Sequence, residues 1–421
     1  MMRAARNILK TIFMVLFFIF YYLFQTGNMF FEKVSTSSWL PYAPLMLFVV
    51  LLVYVLIYRD NRRMNKYITP LYVFEIFILI ISLFYSLIFP LSSNLLFFIL
   101  FIPLLSISFI RRLVSNDNDS GFILGYFVVF VGIFIFYMQN HYVEVFEQND
   151  NVTNAAYTLL YMLPLLLCTR NKILAIISVI LTVIAVFLSL KRGSISILSV
   201  SLLIYAYILF FKGGNKQNRL IRILLIILGL LIFTQTIYFF DDLSNNTIRE
   251  RFVSLEDDRG SGRIDIFRHT ISMISHSHFL ELLFGHGWDM VRVDSNLNLS
   301  AHNDHLEILY DFGLVSYIFF LIFYIRLVQF NVSLIKKRSH LAAPMAMSLV
   351  IFILASFISH IVIYPYYMTT FVVTWSYIVT IDNRQMINSK AIIYEKNNAS
   401  LRHPSRSNQD GSACQGVPEI S

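Results

Sequence analysis

Arg192, Arg263 and His302 each stand where the sequence pattern predicts a helix to begin. A helix N-terminus carries partial positive charge and free N–H groups, so an arginine there makes an anion site. The planar guanidinium binds phosphate oxygens in pairs and stays charged. An imidazole, with an ordinary pKa of about 6.5, can accept a proton at neutral pH. Together these groups suit displacement of a diphosphate by a sugar hydroxyl. The departing phosphate needs charge stabilisation more than a general acid, and the attacking hydroxyl needs a base. Such a set requires no metal or other cofactor. Each residue also has a plainer reading. Arg192 could be an interfacial anchor that snorkels to headgroups, Arg263 a surface ion pair to Asp265 or Glu281, and His302 a structural histidine beside a cap.

The local context of each group is specific. Arg192 lies in Lys191-Arg192-Gly193-Ser194, a turn between two apolar runs. Arg263 follows Ser261-Gly262, and Ile264, Phe267, Ile271 and Ile274 then recur at helical spacing. His302-Asn303 precedes Asp304-His305-Leu306-Glu307, in which Asp304 reads as a cap with Glu307 three residues on. Leu306, Leu309, Tyr310 and Gly313 would form one face of that helix. The last two groups lie in Asp241–Gly313, the one long polar stretch of the chain, which also holds Gly285-His286-Gly287-Trp288. Arg249 and Arg251 at its start could read headgroups or substrate. Glu256-Asp257-Asp258 could hold a cation, but the first outer loop offers only Glu32 as a further acid, so a metal-dependent mechanism is the weaker reading.

The elements that must position these groups are membrane helices. The 421 residues are 57% hydrophobic and only 14% charged, with a mean hydropathy of +0.66, far from soluble domains. Backbone groups in lipid must be satisfied within the segment, so apolar runs of this length are helices. The expected fold class is an all-α polytopic membrane protein with about twelve spans. They fall near 8–24, 41–58, 71–89, 95–110, 121–138, 152–168, 173–190, 195–211, 223–240, 314–331, 343–363 and 366–381. Residues 1–240 then form the first nine spans, 241–313 an outer loop, 314–381 three more spans, and 382–421 a disordered cytoplasmic tail.

Lys and Arg crowd one set of short loops, while the opposite set holds only Lys33 and the pair Lys191-Arg192. Both termini are therefore expected in the cytoplasm and 241–303 outside. The net charge of +8 is this topological signal and gives no case for nucleic acid. The first span lacks a small-residue cleavage site and is not a cleaved signal. Two cysteines give neither a disulfide framework nor a metal spacing. Glu75 is the one acid well inside a span, a candidate for function or for reaching the interface. A polysaccharide flippase or other carrier is the competing class. It would need a charge-lined path and often shows repeated halves, and the spans show little of either.

With these residues in hand, the chain resembles the O-antigen ligase/polymerase family of membrane glycosyltransferases. The resemblance rests on Arg192 in its short turn, Ser261-Gly262-Arg263, Leu283-Phe284-Gly285-His286-Gly287, and His302-Asn303 followed by Gly313 at the family's spacing. It covers about residues 172–324. Ser316, with Tyr317 beside it, departs mildly from the family's usual Gly, Thr or Tyr. The resemblance implies a GT-C-like fold with one large periplasmic loop in the bacterial inner membrane. It implies inverting transfer of glycan from undecaprenyl diphosphate to a hydroxyl of another glycan or of lipid A-core. Carried over by position, Arg192, Arg263 and His302 would be catalytic. Asn303, His305, Arg249, Arg251, Gly285 and Gly287 would bind substrate. Membrane lipid and a chain-length regulator or flippase are the partners such a role calls for.

Overall fold

The computed structural model describes residues 2–29, 42–58, 65–88, 94–114, 119–144, 154–212, 229, 231, 234–242, 249–250, 253, 263–295, 299–359 and 361–402. Regular structure among them is entirely helical. In chain order the helices are α1 (Met2–Met29), α2 (Ala43–Ile57), α3 (Thr69–Ile88), α4 (Asn94–Val114), α5 (Asp119–Glu144), α6 (Asn154–Leu166), α7 (Lys172–Leu188) and α8 (Arg192–Tyr207), the last running into a π turn at Ile208–Lys212. A polar group follows: α9 (Arg263–His276), α10 (Phe279–Phe284), α11 (Met290–Asp294) and α12 (Asp304–Asp311). The chain then returns to long apolar helices, α13 (Gly313–Lys336), α14 (Ala342–Ile358) and α15 (Pro365–Arg402).

Among the described residues, four stretches are long and apolar enough to cross a bilayer: Ala5–Gly27, Asp119–Gln139, Arg192–Phe210 and Gly313–Lys336. Shorter apolar helices pack among them, including 43–57, 69–85, 155–166, 172–188 and 342–358. Every span expected from hydropathy coincides with a helix except the ninth, 223–240, half of which lies outside the described residues. One continuous apolar core joins α1–α8 to α13–α15. α15 packs on α4 and α6, α14 on α8, and α3 on α13. Trp375 is fully buried there and donates its indole N–H to the Ser348 hydroxyl at 2.9 Å, which satisfies the one polar atom that so large a buried ring carries. Glu75 is buried on α3.

The two ends of the bundle differ. At one, Arg384 reaches both carboxylate oxygens of Asp119 at 3.0 and 2.9 Å, Lys337 pairs with Asp382 at 2.9 Å, and Asn65 donates to Asn383 at 2.8 Å. These residues flank the basic loops expected to face the cytoplasm. α15 runs on past Asp382 to Arg402, and Asp382, Asn383 and Arg384 bind side chains of three other segments. The polar helices α9–α12 lie at the opposite end.

Candidate functional site

The site begins at the turn between α7 and α8. Leu190 takes a left-handed φ of 52° and reverses the chain. Ser189 steadies the turn: its hydroxyl donates to Val186 O at 2.7 Å and accepts from Lys191 N–H at 3.3 Å. The Ser194 hydroxyl donates to Lys191 O at 2.9 Å. Lys191 is the N-cap of α8 but makes no side-chain cap. Its ammonium instead lies 5.6 Å from the centre of the Tyr157 ring on α6, a cation–π distance. Gly193 explains how Tyr157 comes so close. A Cβ at that position would meet the Tyr157 hydroxyl at 2.7 Å and Ile358 at 3.0 Å.

Arg263 opens α9, as its Ser261-Gly262 prefix predicts, although those two residues lie outside the described ones. The buried face of α9 is Ile266 and Thr270, whereas Ile264 and Ile271 are exposed, so the helix is as expected and its face is not. Asp265 pairs with Arg268 at 3.9 Å. The Glu281 carboxylate takes the backbone N–H of His278 at 2.8 Å and lies 3.4 Å from His286.

His302 is left-handed, with φ 52°. This conformation costs a non-glycine residue on the order of 1–2 kcal/mol, and histidine enters it more readily than most. Burial, the Arg263 guanidinium and the Lys191 ammonium together drive the His302 pKa from 6.5 down to about 4. Arg263 also acts on the Tyr157 phenol. His302, Arg263, Lys191 and Tyr157 therefore share one electrostatic environment, drawn from four separate segments. Arg192, the residue singled out by sequence, starts α8 beside Lys191, and Lys191 acts on His302.

Asn303 and α12 hold His302 in place. The cap of α12 is Asn303 and not Asp304, which corrects the expected capping pattern. The Asn303 side-chain oxygen accepts from His305 N and Leu306 N at 3.0 and 3.2 Å, and its amide donates to Phe357 O at 3.3 Å. The buried face of α12 is also not Leu306, Leu309 and Tyr310 as a set. Asp304, Glu307 and Asp311 are wholly buried along it, with Ile308 and Tyr310. Asp304 accepts from Ile361 N and Val362 N at 2.8 and 3.0 Å. Asp311 accepts from Asp289 N and Val291 N, both at 3.0 Å, at the start of α11. Burial raises Asp304 to about 7, and burial with the flanking carboxylates drives Glu307 well above the carboxylate range.

The other singled-out residues have visible surroundings. His305 points into the bundle, where its Nδ1 lies 3.2 Å from the Tyr317 hydroxyl and its ring stacks on Phe357 at 4.5 Å. His286 stacks on Tyr310 at 4.0 Å and its Nδ1 donates to Tyr310 O at 3.1 Å. Gly285 and Gly287 are accounted for by packing. Both have positive φ, and a Cβ on Gly285 would meet Asp311 O at 2.2 Å while one on Gly287 would meet the Tyr85 ring at 3.0 Å. Arg249 is exposed and tied by its backbone N–H to Asp241 at 2.9 Å. Arg251 and Glu256–Asp258 lie outside the described residues. Sequence reasoning missed Lys191 and Tyr157 as site residues; Gly193 was the available signal, a glycine in a helix's first turn where a neighbour must approach.

As a chemical device the arrangement offers two cations and a neutral, partly buried imidazole at one end of a membrane bundle. Residues 177–321 match a family model described as O-antigen ligase, which spans α8, Arg263 and His302 and ends in α13. No curated protein matches the chain.

Proposed function

We propose, with the O-antigen ligase/polymerase family as the premise, that this protein is an inverting glycosyltransferase using an undecaprenyl-diphosphate-linked glycan as donor. The acceptor we favour is a second lipid-linked glycan, which makes the protein a polymerase of surface-polysaccharide repeat units. Arg263 and Lys191 hold the diphosphate, with Arg192 and the N–H groups of the first turn of α8 beside them. His302 takes the proton of the acceptor hydroxyl. The hydroxyl oxygen bonds to the anomeric carbon from the face opposite the diphosphate, the bond from that carbon to the diphosphate oxygen breaks, and undecaprenyl diphosphate departs with the electron pair. No metal enters these steps, so turnover should persist in chelator.

The observation that carries this reading is the shared environment of His302, Arg263 and Lys191. It couples the base to the donor. Without a ligand, burial first and the two cations in addition hold the imidazole at a low pKa. A bound diphosphate offsets both charges, so the His302 pKa rises and the base strengthens when the donor is present.

The cellular test is deletion followed by analysis of lipid-linked glycans. A polymerase leaves single repeat units on undecaprenyl diphosphate, and the wild-type gene restores long chains where Arg263→Lys and Lys191→Gln do not. Accumulation of long chains still on the lipid would overturn polymerisation in favour of ligation to lipid A-core. Accumulation in the cytoplasmic leaflet alone would assign a carrier instead.

A further inference from the structure

Among the described residues, the polar helices expose several apolar side chains that the site does not use, and the largest of them cluster on α10. On α10, Phe279 is 73% exposed, Leu280 68% and Phe284 45%. A six-residue helix that turns large apolar side chains outward has no reason to form in water. Its polar side chain is satisfied locally: Glu281 takes the N–H of His278 at the start of the helix and lies by His286.

The position of α10 explains this exposure. It packs against α13, one of the four bilayer-length stretches, and Gly313 at the start of α13 sits so close that a Cβ there would meet Leu283 O at 2.4 Å and Gly285 N at 2.5 Å. Tyr85, near the end of α3, donates its hydroxyl to Gly285 O. The ends of α3, α10 and α13 thus meet at Tyr85, Gly285 and Gly313. On their unshared sides all three expose apolar residues. α3 shows Ile80, Leu83 and Phe84, the last 61% exposed, and α13 shows Leu314 and Ile318. The residues of α3 and α13 are lipid-facing by virtue of the bundle they belong to. Those of α10 continue the same surface past the helix ends.

We propose that α10 is a membrane-inserted segment, with Phe279, Leu280 and Phe284 among the acyl chains of the bilayer beside the outward faces of α3 and α13. At about 9 Å in length it cannot span a hydrocarbon core of about 30 Å, so it lies in the interface region, as short amphipathic helices do. The occupant of the patch is bulk phospholipid. This assignment does not depend on the reaction proposed above, but it fixes the Gly285–Gly287 loop, and with it α12, at the level of the membrane surface.

The test places a nitroxide at Phe279→Cys and, separately, at Leu280→Cys, in full-length protein carrying Cys168→Ala and Cys414→Ser and reconstituted in phosphatidylglycerol/phosphatidylethanolamine vesicles. Collision rates with oxygen, which concentrates in lipid, are compared with those of a water-soluble nickel chelate. Ile318→Cys is the lipid reference, and Arg268→Cys, on the exposed face of α9, is the aqueous reference. Insertion predicts oxygen-dominated collisions at 279 and 280, matching position 318. Chelate-dominated collisions at both, matching position 268, would overturn it. If one label disturbs folding, the other still decides.

Discussion

At the scale of single residues, the proposed reaction turns on an imidazole held neutral by burial and by two neighbouring cations. His302→Asn isolates the imidazole, because asparagine tolerates a φ of 52° where alanine does not. Turnover should fall roughly 10²- to 10⁴-fold, while the donor still binds. In the free protein His302 titrates at about 4, so the acid limb of kcat/KM should lie well below the ordinary histidine range. The acid limb of kcat should lie higher, since the bound diphosphate offsets Arg263 and Lys191. A single limb near the ordinary value of 6.5 in both profiles would contradict the coupling. Stability carries the same signature. Between pH 4 and 6.5 the unfolded chain binds a proton that folded His302 does not, so this stabilisation is full above 6.5 and is lost as pH falls toward 4. Asp304 acts in the opposite sense: raised from 3.8 to about 7, it favours the folded state at low pH and loses that contribution as pH rises through 7. The difference in melting midpoint between wild type and His302→Asn cancels the Asp304 contribution, and it should grow against wild type as pH falls below 6.5.

At the scale of elements, α12 is a strut whose ends are fixed by buried carboxylates, and the spacing from Asn303 to Gly313 becomes a physical length. Asn303 caps, α12 fills Asp304–Asp311, Phe312 intervenes, and Gly313 supplies the left-handed junction to α13 at φ 75°. Asp304→Ala leaves the N–H groups of Ile361 and Val362 without their acceptor, at about 1–3 kcal/mol for each, and should lower the melting midpoint markedly. Asp304→Asn keeps an acceptor oxygen and should retain both fold and turnover. Lost turnover in Asp304→Asn with unchanged melting would instead give that carboxylate a chemical role. This is also where sequence reading reached its limit. Helices at Arg263 and after His302 were legible from prefixes and periodicity, but their faces were not. The short helices pack against loop N–H groups as well as apolar neighbours, so Asp304, Glu307 and Asp311 are buried where periodicity selected Leu306 and Leu309. Lys191 was visible only as a charge on the unfavoured side, since nothing near it in the chain announces Tyr157 as its partner.

At the scale of the whole molecule, hydropathy located the apolar helices among the described residues, and the pairs Arg384–Asp119 and Lys337–Asp382 tie α15 to its neighbours at one end. From the distribution of Lys and Arg we propose that this end faces the cytoplasm and the His302 end the outside. A reporter fused after residue 246 should therefore be active as a periplasmic enzyme and inactive as a cytoplasmic one; the reverse would remove the site from the compartment its chemistry requires. The central claim is that His302, set between Arg263 and Lys191, activates an acceptor against a lipid diphosphate. Its most direct test is a single-turnover reaction of purified protein in proteoliposomes with an undecaprenyl-diphosphate-linked glycan and acceptor, in the presence of chelator. The account predicts release of undecaprenyl diphosphate by wild type, and donor binding without release by His302→Asn. Near-normal release by His302→Asn, or a competent wild-type preparation that only moves the donor between leaflets, would contradict it.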